Sequence, residues 1–331
     1  MRTKKSMGTD PSYRGSEKNL PAKKYSKKAP TVLRLSYVGT GNSTRYVDLA
    51  QGLSAINRKF YRQGVYYYVN SVELYNNEDA FVDLHTLPDN WVTKNAWRRG
   101  KATFDKMNDK AIQSVGNAGF LPKYHDFKVY MNERHYDTGT MSPKLFDINS
   151  ATGGYSADDW VYSQLTSADD DGDVNQDADE FALHMLGPHN GVSGQWDSIG
   201  LIVSYARTRA RVNPTDPTLD ETAIDGINDD PIANMFDYSS EEALNDIITN
   251  LAEDNDAPPY DQDAYVGTSV ASMHHVARLA TSVSSGRVAK ASGFCVPFGL
   301  ICVDPQSTAT SWRLVINLAQ GTYHGVYAER A

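Results

Sequence analysis

The chain has 331 residues and a formal net charge of −9, with 40% hydrophobic and 22% charged residues, a composition typical of soluble globular proteins. No stretch is long and apolar enough to span a bilayer, and the N-terminal residues stay polar where a secretory signal needs an apolar block. We therefore expect no membrane partner and no entry into the secretory pathway. Cys295 and Cys302 are the only cysteines, too few for a disulfide framework or a cysteine-based zinc site.

The first 34 residues differ sharply in charge from the rest. They contain ten Lys or Arg and two acidic residues, a net charge of +8, so the remainder carries −17. Because few apolar side chains are present, a disordered basic arm is predicted over 1–34, followed by one acidic domain over 35–331. Such an arm binds polyanions, although it also suits a solubilising or membrane-surface terminus or a nuclear import signal. The residues expected to contact nucleic acid are Arg2, Lys4, Lys5, Arg14, Lys18, Lys23, Lys24, Lys27 and Lys28.

Strands are predicted where segments rich in Tyr, Val and Leu are bounded by turn residues. In chain order these segments are 46–75, 81–87, 127–131, 160–166, 181–186, 199–212, 293–303, 312–319 and 323–328. Two helices are also predicted. The first, over 95–115, has one apolar stripe, and the second, over 240–253, has a capping box at Ser239 and Glu242.

Many strands of uneven spacing do not fit alternating βαβ units. The pattern predicts a mainly β chain, an antiparallel jelly-roll sandwich with two helices in long loop insertions and a disordered basic N-terminal arm. Internal repeats and a Pro-rich linker are absent from the sequence, which favours a single domain after the arm.

A second nucleic-acid site is predicted in the segment 199–212. Tyr205, Arg207, Arg209 and Arg211 alternate with small residues, so in a strand they share one face. Three guanidiniums and an aromatic ring suit phosphates and bases. The alternative is an exposed strand face paired with nearby carboxylates.

An acidic run over 169–180 spaces its oxygen-bearing side chains like an EF-hand loop. Val174 stands where that loop requires glycine, and a matching helix does not precede the run. The run is therefore either a distorted calcium site or a solvated acidic loop. No other cofactor is expected. The candidate ligands are Asp169, Asp171, Asp173, Asp177 and Glu180.

The segment 267–272 resembles the serine segment of subtilisin-like proteases, and Asp137 and His189 precede it in that family's order. A triad needs Ser as nucleophile, His as base and a carboxylate that orients the His. The residues before Asp137 are polar where the family has an apolar strand. We therefore expect that Asp137, His189 and Ser269 do not form a triad, and we assign no catalytic residue and no enzymatic activity.

Two stretches carry a further resemblance. The segment 76–111, NNEDAFVDLHTLPDNWVTKNAWRRGKATFDKMNDKA, and the ending over 293–301 and 321–327 resemble capsid proteins of small circular single-stranded DNA viruses. The resemblance covers about a third of the chain and implies a jelly-roll subunit that assembles into an icosahedral shell, with its arm facing the genome. It supplies no catalytic residues.

The expected function is therefore that of a viral capsid protein, whose partners are further copies of itself and a single-stranded nucleic acid, DNA favoured over RNA. The expected location is the virion, with the host nucleus as an alternative during assembly. The rival hypothesis is a calcium-dependent β-sandwich that binds carbohydrate through its Trp and Tyr residues, and a subtilisin-like protease is the remote alternative.

Overall fold

A computed structural model of the protein describes residues 31–115, 125–144, 160–167, 179–192, 195–209, 247, 265–269, 271–284, 286–306 and 311–331. This part of the chain is mainly β. Its strands are β1 (Arg34–Thr40), β2 (Arg45–Asp48), β3 (Val65–Tyr75), β4 (Ala80–Thr86), β5 (Tyr130–Asn132), β6 (Gln164–Ser167), β7 (Asp179–Leu186), β8 (Asn190–Val192), β9 (Gln195–Gly200), β10 (His274–Thr281), β11 (Val288–Val296), β12 (Leu300–Pro305), β13 (Ser311–Leu318), β14 (Gln320–Tyr323) and β15 (Ala328–Arg330). Its helices are α1 (Leu49–Asn57), α2 (Trp91–Val115), α3 (Glu133–Thr138) and α4 (Leu201–Arg209).

The strands form three sheets. The first sheet has the order β1-β13-β3-β11, with β15 beside the start of β3, and the second has the order β10-β4-β12-β2. Every pairing in these two sheets is antiparallel. The third sheet, β5-β7-β9-β8 with β6 beside β7, belongs to the long insertion between β4 and β10.

The first two sheets bury one hydrophobic cluster together. Leu35, Tyr37 and Trp312 enter it from the first sheet, and Val82 and Val303 enter it from the second. Alternation along each strand explains this, since successive side chains point to opposite faces and every second residue of β1 is buried.

The insertion packs on the other face of the second sheet. Along β12, Ile301 and Val303 belong to the first cluster, whereas Leu300 and Cys302 belong to a second cluster that contains Trp97 of α2 and buried residues of the third sheet. A strand buried on both faces reads as a continuous apolar run, as β12 does. Around β12 and β2 the second sheet is therefore covered on both sides, whereas β10, at its other edge, keeps exposed side chains such as Arg278.

Several predicted elements are confirmed. The segments 81–87, 181–186 and 312–319 form β4, β7 and β13, and the predicted helix over 95–115 forms α2, which begins earlier, at Trp91. Asn90 explains the earlier start because its Oδ1 accepts a hydrogen bond from the amide of Thr93 at 2.8 Å, as an N-cap does. The segments 127–131 and 160–166 yield only the short strands β5 and β6.

Other predictions were wrong. The segment 46–75 is interrupted by α1, and the segment 199–212 leaves the strand conformation at Gly200 and continues as α4. The segment 293–303 is broken by a 3₁₀ turn over Pro297–Gly299, where Phe298 adopts a φ of 56°. The segment 323–328 contains a turn between β14 and β15. Strands β1, β8 and β10 and helix α3 were not predicted.

The expectation of a purely antiparallel fold fails in the third sheet. There β7 pairs in parallel with both β5 and β9. For the β7–β9 pair, β8 returns the chain, because it runs antiparallel to β9 on the side away from β7.

The sequence also predicted a second helix and no membrane-spanning segment. The predicted helix over 240–253 lies outside the described residues except for Ile247, which is helical and exposed. None of the helices in the described ranges combines the length and the apolar character needed to cross a bilayer.

Candidate nucleic-acid interface

The nine basic residues of the predicted arm that were assigned to nucleic acid all lie outside the described residues, which begin at Thr31. From Thr31 to Leu33 the chain is fixed to the body. The hydroxyl of Thr31 donates to the carbonyl of His324 at 2.7 Å, the amide of Val32 donates to Asn57 Oδ1 at 2.7 Å, and Leu33 packs on the first cluster. Arg34, the last basic residue of the predicted arm segment, is already part of β1. The arm segment thus joins the body at the start of β1.

Part of the outward face of the first sheet contributes no side chain to either hydrophobic cluster among the described residues, although Val315 and Ser71 on it are buried. We call this surface the open face. Its members are the outward residues of four strands: Arg34, Ser36, Val38 and Thr40 on β1; Ser311, Arg313, Val315 and Asn317 on β13; Ser71, Glu73 and Tyr75 on β3; and Val288, Lys290 and Ser292 on β11.

The open face holds a groove of about 770 Å³. Its lining contains the three arginines Arg34, Arg287 and Arg313 and no acidic residue, although Glu78 and Asp79 lie in the turn after β3. The groove is therefore a basic surface on a domain that is strongly acidic as a whole.

Glu73 is the single acidic residue among the outward residues of the open face. Its carboxylate oxygens lie 3.4 Å from Arg34 Nη2 and 3.6 Å from Lys290 Nζ, and it accepts a hydrogen bond from the Tyr75 hydroxyl at 2.9 Å. The Arg34 and Lys290 side chains remain 61% and 64% exposed, so solvent screens both ion pairs and leaves the cations accessible.

The predicted stripe of Tyr205, Arg207, Arg209 and Arg211 is not a strand face. Tyr205 and Arg207 lie on α4, where residues two apart point about 200° apart around the axis. Tyr205 is buried against Trp91, with ring centroids 6.3 Å apart, whereas Arg207 is exposed. Arg209 ends α4, and Arg211 lies outside the described residues. The geometric argument for a shared nucleic-acid site therefore fails.

The three triad residues are not joined by hydrogen bonds in the described part of the chain. Asp137 and Ser269 line a cavity of about 480 Å³, and His189 and Ser269 line a separate one of about 290 Å³. The amide of Gly200 donates to His189 Nδ1 at 3.0 Å, so that nitrogen carries no proton. In a triad the same nitrogen donates to the carboxylate. His189 is thus oriented by a backbone amide instead of Asp137.

The predicted calcium ligands Asp169, Asp171, Asp173 and Asp177 lie outside the described residues. Glu180 is described, and it lies in β7, paired with Thr166 of β6. An EF-hand places its last ligand at the start of a helix, so the scaffold differs from that motif at this position. The described residues contain no group of three side chains arranged to hold a metal ion.

A buried chain of hydrogen bonds was not anticipated from the sequence. The Met131 amide donates to His135 Nδ1, so His135 Nε2 carries the proton and donates to Thr140 Oγ1 at 2.7 Å. Thr140 in turn bonds the Tyr162 hydroxyl at 2.6 Å, which donates to Asp48 Oδ2 at 3.4 Å. Burial raises the pKa of Asp48 to about 7 and lowers the pKa of His135 to about 3. This chain connects β2 with the insertion.

Sequence analysis also missed the open face, although part of its signal was present. Arg34 and Arg313 alternate with buried apolar neighbours in their strands, which identifies them as outward-facing. The sequence does not reveal that these strands are neighbours, because 270 or more residues separate β1 from β13.

Comparisons with known protein families, with curated proteins and with solved structures find no match to this chain.

Proposed function

We propose that this chain is a viral capsid protein, a structural subunit that assembles into a closed icosahedral shell and packages single-stranded nucleic acid, with DNA favoured over RNA. In this proposal the arm binds the genome, and the domain over 35–331 forms the wall of the shell.

The order of the strands in the first two sheets carries the proposal. Eight strands pair in a nested way: β1 with β13, β2 with β12, β3 with β11 and β4 with β10. That nesting corresponds to one long hairpin. The further pairs β13 with β3 and β12 with β4 roll the hairpin into two sheets around a shared cluster. We infer a jelly roll, an architecture that viral capsids share with lectins and cupins.

The arm favours the capsid among these classes. A lectin or a cupin needs no cationic tail, whereas a shell that encloses nucleic acid must offset its phosphate charge. Nine basic residues of the arm segment precede the first strand, and the tenth, Arg34, begins it, so each subunit supplies this charge next to the same strand. Binding through such contacts is tolerant of sequence and weakens steeply with salt, since counterions are released from the nucleic acid.

Electron microscopy of the purified full-length protein, treated with nuclease, tests this function. The expected result is closed shells of uniform diameter that contain protected single-stranded nucleic acid. Monodisperse monomers without bound nucleic acid would overturn the proposal and favour a binding module.

A deletion of residues 2–28 tests the role assigned to the arm. It should abolish most binding of single-stranded DNA at low salt, while circular dichroism shows a folded body, because the described contacts begin at Thr31. A matched control keeps the length of the arm and replaces its nine basic residues up to Lys28 by Gln. If charge causes binding, the control behaves like the deletion. Unchanged affinity in both variants would remove the arm from the mechanism.

A further inference from the structure

We propose that the open face of the first sheet is a second phosphate-binding surface, which holds single-stranded nucleic acid beside the exit of the arm. The inference rests on the proposed function and extends it to a defined surface of the folded body.

Charge is the first argument. Arg34, Lys290 and Arg313 lie on the open face and Arg287 lies at its edge, whereas Glu73 is the one acidic residue on the face and Glu78 and Asp79 lie in the turn at that edge. The domain as a whole carries an excess of carboxylates. A local excess of cations on such a body creates a potential opposite to its surroundings, which attracts polyanions.

Position is the second argument. The arm segment joins the body at Thr31, three residues before Arg34, and Arg34 contributes its side chain to the open face. An extended chain covers at most about 3.6 Å per residue, so the stretch of chain from Lys27 to Arg34 can span at most about 25 Å. The open face itself is four strands wide, roughly 15 Å. One segment of nucleic acid can thus contact both the arm and the open face.

Side-chain chemistry is the third argument. Arginine presents planar donors that match phosphate oxygens, and three arginines line the groove. Tyr75, directly opposite Arg313 in the register of the sheet, is 37% exposed and offers an aromatic edge to a base. Sequence-independent binding of single strands combines these two kinds of group.

The alternative occupant is an acidic segment of a second subunit. It has the charge to bind the same face, and loss of assembly without loss of DNA binding would identify it. Nucleic acid is favoured because the arm, the other basic part of the chain, emerges at the edge of this face.

The test measures the binding of a fluorescein-labelled oligothymidylate to the dissociated full-length protein between about 50 and 200 mM salt. The variant carries Arg287→Gln, Lys290→Gln and Arg313→Gln. Three lost phosphate contacts should flatten the slope of log affinity against log salt by about two units. The matched control, Arg99→Gln, Lys106→Gln and Lys110→Gln, removes the same charge from exposed positions of α2 and should keep the slope of the unmodified protein.

Two further variants make the test independent of folding defects. Arg287→Lys with Arg313→Lys keeps the charge and should keep the slope. Glu73→Gln removes the carboxylate that faces Arg34 and Lys290, so it should tighten binding and steepen the slope.

The outcomes separate this inference from the proposed function. Equal slopes for the variant and its control, while the unmodified protein binds DNA and forms shells, would overturn the open face and leave the capsid function standing. Loss of assembly in the variant with DNA binding equal to the control would assign the face to a neighbouring subunit and also overturn the inference. Failure of the unmodified protein to bind the oligothymidylate would overturn both.

Discussion

At the scale of single residues, Tyr37 and Gly52 show how tightly the first cluster is packed. Tyr37 is fully buried, and its hydroxyl has no hydrogen-bond partner among the described residues. A methyl group at Gly52, in the middle of α1, would overlap that hydroxyl. Glycine in a helix is about 1 kcal/mol less favourable than alanine, so its presence here is explained by the space that Tyr37 occupies.

A double-mutant cycle tests this explanation. Gly52→Ala should destabilise the protein because the new methyl group collides with the Tyr37 hydroxyl. Tyr37→Phe should be neutral or stabilise by about 1 kcal/mol, because it removes a buried hydroxyl without a partner. In the Tyr37→Phe background, Gly52→Ala should lose most of its cost, with a coupling energy of at least about 1 kcal/mol in urea denaturation.

Gly39→Ala is the matched control for that cycle. The atoms nearest to a methyl group at Gly39 all belong to the ring of Trp312, so Tyr37→Phe should give it little relief. Additive effects of Gly52→Ala and Tyr37→Phe would show that the hydroxyl is not the obstacle.

At the scale of elements, Asp48 determines where α1 begins. Its Oδ1 accepts hydrogen bonds from the amides of Ala50 and Gln51 at 2.9 and 3.2 Å, and Gln63 Nε2 donates to its Oδ2 at 3.1 Å. Burial raises the pKa of this carboxyl to about 7, because the charged form is poorly solvated. One side chain therefore serves both as a helix cap and as a buried acid between β2 and the insertion.

The raised pKa predicts a loss of stability as pH rises. Between about pH 4 and pH 7 the unfolded chain releases the Asp48 proton while the folded chain retains it, so the free energy of unfolding falls across this window. The expected fall is roughly 2 to 4 kcal/mol, and above pH 7 the contribution is constant. Asp48→Asn should lack this fall, as urea denaturation at a series of pH values would measure.

Two buried histidines also change the stability with pH, so the Asp48→Asn variant has to be compared with the unmodified protein at each pH. Burial lowers the pKa of His135 to about 3 and that of His184 to about 4. Each makes the stability rise between its folded pKa and about pH 6.5, opposite to Asp48. Because both remain in the variant, the difference between the two proteins isolates the carboxyl. A pH-independent difference would contradict the buried acid.

The elements also show what the sequence could and could not predict. Strands β4, β7 and β13 were predicted because residues with strand propensity lie between clear turn residues. In α4 large and small residues alternate from Tyr205 onward, and this alternation wrongly predicts a strand. The buried residues Leu201, Ile202 and Tyr205 instead follow helical spacing, and Tyr205 is held by Trp91 of the distant helix α2. Tertiary contacts of this kind cannot be read from local pattern.

The same limit applies to the open face. Alternation marks Arg34 and Arg313 as outward-facing within their own strands, but Lys290 joins them only through the order β1-β13-β3-β11. That order is fixed by the nested pairing of the whole domain. The sequence therefore placed only Arg313 on a predicted strand; it assigned Arg34 to the arm, left Lys290 outside the predicted strands and did not predict that the three share one surface.

At the scale of the whole molecule, the two sheets of nested strands differ in what packs on their outer sides. The insertion covers the outer side of the second sheet around β12 and β2, whereas the open face of the first sheet belongs to neither hydrophobic cluster among the described residues. The arm segment begins at the edge of that same sheet. In the proposed shell, this asymmetry gives the subunit a basic side formed by the arm and the open face.

In the proposed shell, the opposite charges of the arm segment and the body should make assembly depend on salt. Deletion of residues 2–28 removes nine basic and two acidic side chains and leaves a net charge of −16. Subunits of this charge repel one another at about 0.1 M salt, where the Debye length is about 10 Å, but much less at about 1 M, where it is about 3 Å. The deletion should therefore prevent assembly at low salt and permit it at high salt.

Sedimentation velocity and electron microscopy at both salt concentrations measure this effect. The full-length protein should form shells at about 0.1 M salt in the presence of single-stranded DNA, because the arms and the phosphates offset each other near the wall. The variant with nine Gln residues in its arm should behave like the deletion, since it keeps the length and loses the charge. If the deletion assembles at low salt as well as the full-length protein, repulsion between acidic bodies is too weak to control assembly. The arm would then serve packaging alone, and the contacts between bodies would be sufficient to form the shell.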